Sequence, residues 1–418
     1  MKNFEQISFI GLLTFLLFFL SLLLGFYLNE DLLNKGTFND FHNTWGLVQA
    51  LKENLNTDYS NNEWGSLHFP LHYIILSRIN FLIEDKYFLR FFFCFLSALV
   101  PILFYLNLKI KFESVNKNVL LILASLIFII PTFRSCAIWA NYQVTSLIFF
   151  LLSSLFFLKW IKEENYKKIN LNVMLNLTFL ALAVYCVQYY AIIYLYFMLI
   201  YFQKLEFKNF ILISLLVFLF SLPGFFMIFY HPRAASVTFS SNIYNSLLIN
   251  SSILGFWLIP IFAPLILNGK KFFENKKNFF IFSSIFFTLL VFIFSIYFDY
   301  NPKIGGGFFL KLSNLFFHNN ILFYILSIVS FILLSYLSKE DKNNLLLILL
   351  LLFGFSAWYI FQKYFEPLFL ILFFLYFNSK IPKEFLNQNK NLLFLVIYVI
   401  LYMLSAQIYS FYNLVEVI

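Results

Sequence analysis

The chain predicts an all-α polytopic membrane protein, and three observations predict it. Hydrophobic residues make up 61% of its 418 positions and charged residues only 12%, with a mean hydropathy of +0.82, far from the balance of a soluble domain. Apolar stretches recur from end to end, many near the roughly 20 residues that cross a bilayer core. The polar segments between them sort alternately by charge type, as loops on opposite sides of a membrane do. Lipid leaves no partner for an unpaired backbone amide, so each span is expected to be helical. One membrane domain over 1–418 is expected, with no separate soluble domain.

The first element is the apolar run from Ile7 to Leu28 behind Lys2. It is longer than the core of a cleaved signal and lacks a small-residue cleavage site, so it reads as an uncleaved span. Further spans are expected near 88–108, 119–133, 142–160, 172–188, 189–203, 209–230, 246–268, 279–298, 320–338, 344–361, 364–379 and 392–411, about 13 in all. The 63 Phe and 26 Tyr are read as biased codon supply, with Phe standing where Leu or Val would serve. Cys94, Cys136 and Cys186 have no paired spacing and read as small apolar fillers.

Between the first two spans lies the long polar segment 29–87, the stretch richest in chemistry. Glu30, Asp31, Asp40, Glu53, Asp58 and Glu63 fall in it, with His42, His68, Trp45 and Trp64. Trp45, Val48, Leu51 and Leu55 recur at helical spacing, predicting an interfacial helix over 40–55 with Asn39 or Asp40 near its cap. Phe69 to Ile83 is apolar but too short to cross, and Pro70 suits a first helical turn, so a second interfacial helix is expected there.

Net charge is +9, and its placement matters more than its sum; nothing in it calls for nucleic acid. Lys2 and the Lys-bearing segments 109–118, 159–168, 203–208, 269–277, 338–342 and 380–390 form one alternate set, which the positive-inside rule makes cytoplasmic. The N-terminus is then cytoplasmic and the C-terminus outside. All five His (His42, His68, His72, His231, His318) and all four Arg (Arg78, Arg90, Arg134, Arg233) belong to the other set or to helix ends beside it. Arg on that side opposes the topological bias. A guanidinium fork suits phosphate oxygens, and snorkelling to headgroups is the plainer alternative.

The run HFPLHYIILSRINFLIEDKYFLRFFFCFLSALVPILFYL, following one span and an Asp-bearing loop, resembles the GT-C glycosyltransferases of the dolichyl-phosphate-mannose protein mannosyltransferase type (glycosyltransferase family 39-like), whose bacterial relatives include the lipid A aminoarabinose transferases. FRSCAIWANYQVTSLIFFLLSSLFFLKW is similar to the opening of their fourth span, YCVQYYAIIYLYFML to a tyrosine-rich bend, and KYFEP (363–367) to a late basic-aromatic-x-Pro motif. The likeness covers 1–205 fairly well and the remainder weakly. It implies a GT-C fold and an inverting single displacement. A sugar would move from a polyprenyl-phosphate donor to a glycan, lipid or protein acceptor, in the bacterial inner (plasma) membrane with the site facing the periplasm.

Carried onto this chain, the resemblance makes Asp40 the catalytic base, although Phe41 follows where relatives usually have Glu. Asn141 stands where some relatives have a second acid, and Gln188 where His is frequent. Arg134, Arg233 and Lys363 are candidate phosphate holders, and His42, His68, Asn141, Gln188, Tyr189 and Glu366 candidate substrate contacts. The plainer readings make Asp40 a helix cap or solvated carboxylate, His42 a hydrogen-bonding loop residue, Arg90 a tie to Asp85 or Glu84, and Glu366 a partner of Lys363. His68 and His72 stand at i, i+4, a metal spacing, yet interfacial packing explains them as well; no cofactor is called for and no metal site is assigned. Gly305, Gly306 and Gly307 suggest a mobile lid. A polyprenyl-linked glycan polymerase or ligase, or a lipid or solute transporter, is the alternative function.

Overall fold

The computed structural model describes residues 9–415 apart from 34, 54–65, 67, 80–83, 164–166, 231–241, 269–276, 303, 356 and 358. The described residues are helical or connecting, without strands. Two compact units form: residues 1–235 with 399–418, and residues 236–398.

In the first unit, α1 (Phe9–Tyr27) leads to α2 (Gly36–Glu53) and α3 (Leu71–Ile79), the two helices expected in the first long polar segment. α2 begins at Gly36, so Asp40 lies one turn inside it and is not its cap. Asp31 does the capping: its carboxylate accepts from the amides of Leu33 (2.9 Å) and Phe38 (2.8 Å). Pro70 stands immediately before α3, and its carbonyl accepts from Ile74. α4 (Lys86–Leu96) and α5 (Leu99–Lys111) follow, then α6 (Lys117–Ser125), α7 (Pro131–Ile138), α8 (Tyr142–Ile161), α9 (Leu171–Cys186), α10 (Ala191–Lys204) and α11 (Phe207–Tyr230). The tyrosine-rich bend is a 3-10 turn, Gln188–Tyr190, between α9 and α10.

The second unit is built around α12 (Ile243–Asn268), joined by α13 (Lys277–Ile296), α14 (Gly307–Phe317), α15 (Ile321–Glu340), α16 (Lys342–Gly354), α17 (Leu368–Tyr376) and α18 (Ile381–Leu386). α19 (Asn389–Val415) begins in this unit and ends in the first. At Gly255 in α12 the backbone of α15 comes so close that an added Cβ would fall on the Ser330 side chain. Gly305, Gly306 and Gly307 all have positive φ (74°, 79°, 77°). They are packed rather than loose: the Gly306 amide donates to the Ile360 carbonyl (2.8 Å), and a Cβ on Gly305 would meet that same oxygen at 2.6 Å. The run is a pinned crossing, not the lid its composition suggested.

Every predicted span contains a helix, but not every helix can cross. Among the described residues eight are long and apolar enough, or nine when the bent pair Lys117–Ile129 and Pro131–Ile138 counts as one span. The remainder of the expected 13 are short: Leu171–Cys186 has 16 residues, Ala191–Lys204 has 14, Lys342–Gly354 has 13 and Leu368–Tyr376 only 9. At 1.5 Å per residue the last reaches about half of a bilayer core. It is buried at every position, so its apolarity serves packing. Apolar exposure separates the two kinds of long helix: α11 buries 6% of its apolar window and α12 83%. The Phe and Leu side chains covering α11 and α13 form the surface a lipid phase would cover.

Candidate functional site

The site forms where α7 turns into α8. α7 closes with the Trp139 amide on the Ser135 carbonyl (3.0 Å) and the Asn141 amide on the Cys136 carbonyl (2.9 Å). This is a Schellman-type ending with Ala140 in the left-handed position, φ 46°, where glycine is usual. Asn141 then caps α8, its Oδ1 accepting from the Gln143 amide at 3.1 Å. That leaves the Nδ2 amide to donate to Asp40 Oδ2 at 3.2 Å. Asp40 is half-buried. Its negative charge lies beside the positive end of a 20-residue helix.

A second set of expected residues meets the next position of α8. The His68 ring lies 3.9 Å, centroid to centroid, from that of Tyr142. His68 Nδ1 is 3.0 Å from Gln188 Oε1, an oxygen that only accepts, so Nδ1 carries the hydrogen. Tyr189, beside Gln188, stacks on Tyr190 at 5.0 Å. Thus Asp40 with Asn141, and His68 with Gln188, converge on the adjacent residues Asn141 and Tyr142 from α2, from the stretch before α3, and from the α9–α10 bend. His42 is exposed on α2 and packs edge-on against Phe38 at 4.5 Å.

Arg134 is placed otherwise than its expected role requires. Nε and Nη2 grip Glu30 (2.7 and 3.0 Å), Nη1 donates to Ser21 Oγ (3.0 Å) and the Phe128 carbonyl (3.4 Å), and Nη2 also reaches the Ser21 carbonyl (2.9 Å). All five guanidinium hydrogens are spent inside the fold and none is left for a phosphate. Arg90 makes no tie to Asp85 or Glu84. It donates to the Ile138 carbonyl (3.1 Å) and Asn29 Oδ1 (3.2 Å), with its guanidinium 3.5 Å above the Trp139 ring. Arg233 lies outside the described residues. In the second unit, Lys363 Nζ sits 5.5 Å over the Phe361 ring. Glu366 is buried and accepts from Trp257 Nε1 (3.1 Å) and from Gln362 Nε2. Among the described residues no group of three His, Cys, Asp or Glu could hold a metal ion.

Four participants have roles that the sequence reading does not assign. Glu30 is the partner of Arg134, and its carbonyl accepts from Trp139 Nε1 at 2.9 Å. Trp139 lies under Arg90. Tyr142 carries the His68 ring. His72 is fully buried, with Nε2 3.1 Å from the Ala140 carbonyl and Nδ1 2.9 Å from Thr145 Oγ1. Its signal was present in the sequence, since His72 is one of the polar residues that break an otherwise apolar helix face.

No family model, no curated protein and no solved structure matches this chain.

Proposed function

We propose that this chain is a membrane-embedded glycosyltransferase that moves a sugar from a polyprenyl-phosphate donor to an acceptor hydroxyl on a glycan, lipid or protein at the outer face of the plasma membrane. Asp40 takes the acceptor's proton as its oxygen forms a bond to the anomeric carbon. The bond from that carbon to the phosphate oxygen breaks, polyprenyl phosphate leaves with the electron pair, and the anomeric configuration inverts. Arg233 is the cation assigned to the leaving phosphate. His68 and Gln188 are assigned to the acceptor or sugar hydroxyls.

The observation that supports this reading is the setting of Asp40: a half-buried carboxylate with one oxygen fixed by the Asn141 amide. The motif resemblance in the first half of the chain supplies the donor class. Purified protein in lipid, given a pool of polyprenyl-linked sugars, provides the test. Asp40→Asn should lower transfer by about 10²–10⁴-fold, the range for losing a general base. Undiminished transfer by that variant removes the assignment.

A further inference from the structure

The turn that delivers Asn141 to Asp40 is strained at a residue with no chemistry of its own. Ala140 holds φ 46°, where an L-residue's Cβ crowds its own backbone. Such a conformation persists only where its surroundings impose it, and such outliers cluster where geometry matters for function. Here the constraint can be named. The Ala140 carbonyl can only accept, so His72 Nε2 carries the hydrogen. In the neutral ring Nδ1 then accepts from the Thr145 hydroxyl, one turn into α8. Burial lowers the His72 pKa to about 3, which keeps the ring neutral and this tautomer in place. One imidazole on α3 therefore clasps both the strained turn and the helix that follows it.

We propose that His72 is a positioning residue for Asp40, acting through Ala140 and Asn141: it holds the turn that aims the Asn141 amide at the Asp40 carboxylate. The use of that carboxylate as a base rests on the function proposed above; the positioning itself does not.

The test reads Asp40 directly. Purified protein is treated with a water-soluble carbodiimide and an amine, and labelling at Asp40 is followed by peptide mass spectrometry beside the melting temperature. His72→Phe keeps an aromatic ring against Phe93 and Tyr142 but loses both hydrogen bonds. It should raise Asp40 labelling several-fold, as should Asn141→Ala. Adding Ala140→Gly to His72→Phe should return labelling to the wild-type level, because glycine holds a positive φ unaided. His72→Gln, which can donate and accept, should stay near wild type. A folded His72→Phe protein with unchanged labelling, or no recovery with Ala140→Gly, overturns the proposal. Should His72→Phe not fold, Thr145→Val frees the ring to turn while leaving it in place, and no rise there overturns the proposal equally. In the transfer assay His72→Phe should lower kcat with little change in KM for the donor, again restored by Ala140→Gly. If Asp40→Asn stays active, the enzyme reading fails while the labelling series still decides the positioning.

Discussion

Glu30 and Asp40 belong to one polar segment, yet the fold gives them opposite settings. Glu30 is held in a two-pronged ion pair with Arg134, its side chain 12% exposed and that of Arg134 3%. Asp40 is half-buried, and the donor on its Oδ2 is the neutral amide of Asn141. A carboxylate matched to a guanidinium fork has its charge answered and its lone pairs directed, which suits a tie between the turn after α1 and α7. A carboxylate aimed by the side-chain amide of Asn141 is oriented for the proton abstraction proposed above. Two acids that look alike in sequence thus divide into a fastener and a candidate base, and the division follows from what each one meets.

The largest effect is expected at the fastener. Arg134→Ala should leave the part-buried Glu30 carboxylate without its counter-charge and cost up to about 3 kcal/mol. A melting temperature in lipid or detergent within a degree or two of wild type would show that the pair carries no such weight. Replacing both partners with apolar residues of similar volume, Arg134→Met with Glu30→Leu, should recover much of the loss. A similar or smaller effect is expected at Gly25, where a Cβ would stand 2.6 Å from Arg134 Nη2 and 3.0 Å from Glu30 Oε2. Gly25→Ala should push the fork out of register and cost up to about 3 kcal/mol, as overpacking does. Double-mutant analysis with Arg134→Ala should show strong non-additivity, since both changes act on one contact.

The histidine behind the candidate base gives a pH test of the same contrast. Burial pushes the His72 pKa in the fold down from its ordinary 6.5 to about 3. The unfolded chain therefore gains a proton that the folded chain refuses as pH falls below about 6.5. The stability present above that value is lost progressively down to about 3, and the loss is about 2 kcal/mol by pH 5. Thermal midpoints at pH 7.5 and pH 5 should separate accordingly, and His72→Gln should remove that part of the separation. An unchanged separation in the variant would mean that other groups carry the acid sensitivity.

Much of this was legible in the sequence where one dimension suffices. Apolar runs predicted the helices, and helical spacing with Pro70 predicted α2 and α3. Asp40, Asn141, His68 and Gln188 are each singled out by the sequence, and the fold brings Asp40 to Asn141, the cap of α8, and the paired His68 and Gln188 to Tyr142, its first residue. What stayed hidden depends on pairings distant in sequence. Hydropathy cannot tell a crossing helix from a short buried one, so α17 reads as a span from sequence alone. An Arg opposing the topological bias looked like a phosphate ligand because Glu30, 104 positions away, could not be seen as its partner. Three consecutive glycines suggest a lid, although all three have positive φ in close packing, Gly305 against Ile360, Gly306 against Leu310 and Gly307 against Ile253. The left-handed Ala140 had no signal at all, since alanine gives no warning of that conformation.

The smallest expected effect on the fold sharpens the comparison most. Asp40→Asn keeps the side-chain size and an oxygen that can accept from Asn141, and it removes a charge at a half-buried position. A change that keeps the side-chain size and the acceptor for Asn141 should cost no more than about 1 kcal/mol, the centre of the range for point substitutions. The melting temperature should therefore move little, in contrast to Glu30→Gln, which leaves a buried guanidinium facing a neutral amide. A residue whose change spares the fold and abolishes transfer is held for chemistry. One whose change unfolds the chain is held for structure. If Asp40→Asn proves as destabilising as Glu30→Gln, the two carboxylates are both fasteners and the base must be sought elsewhere in the chain.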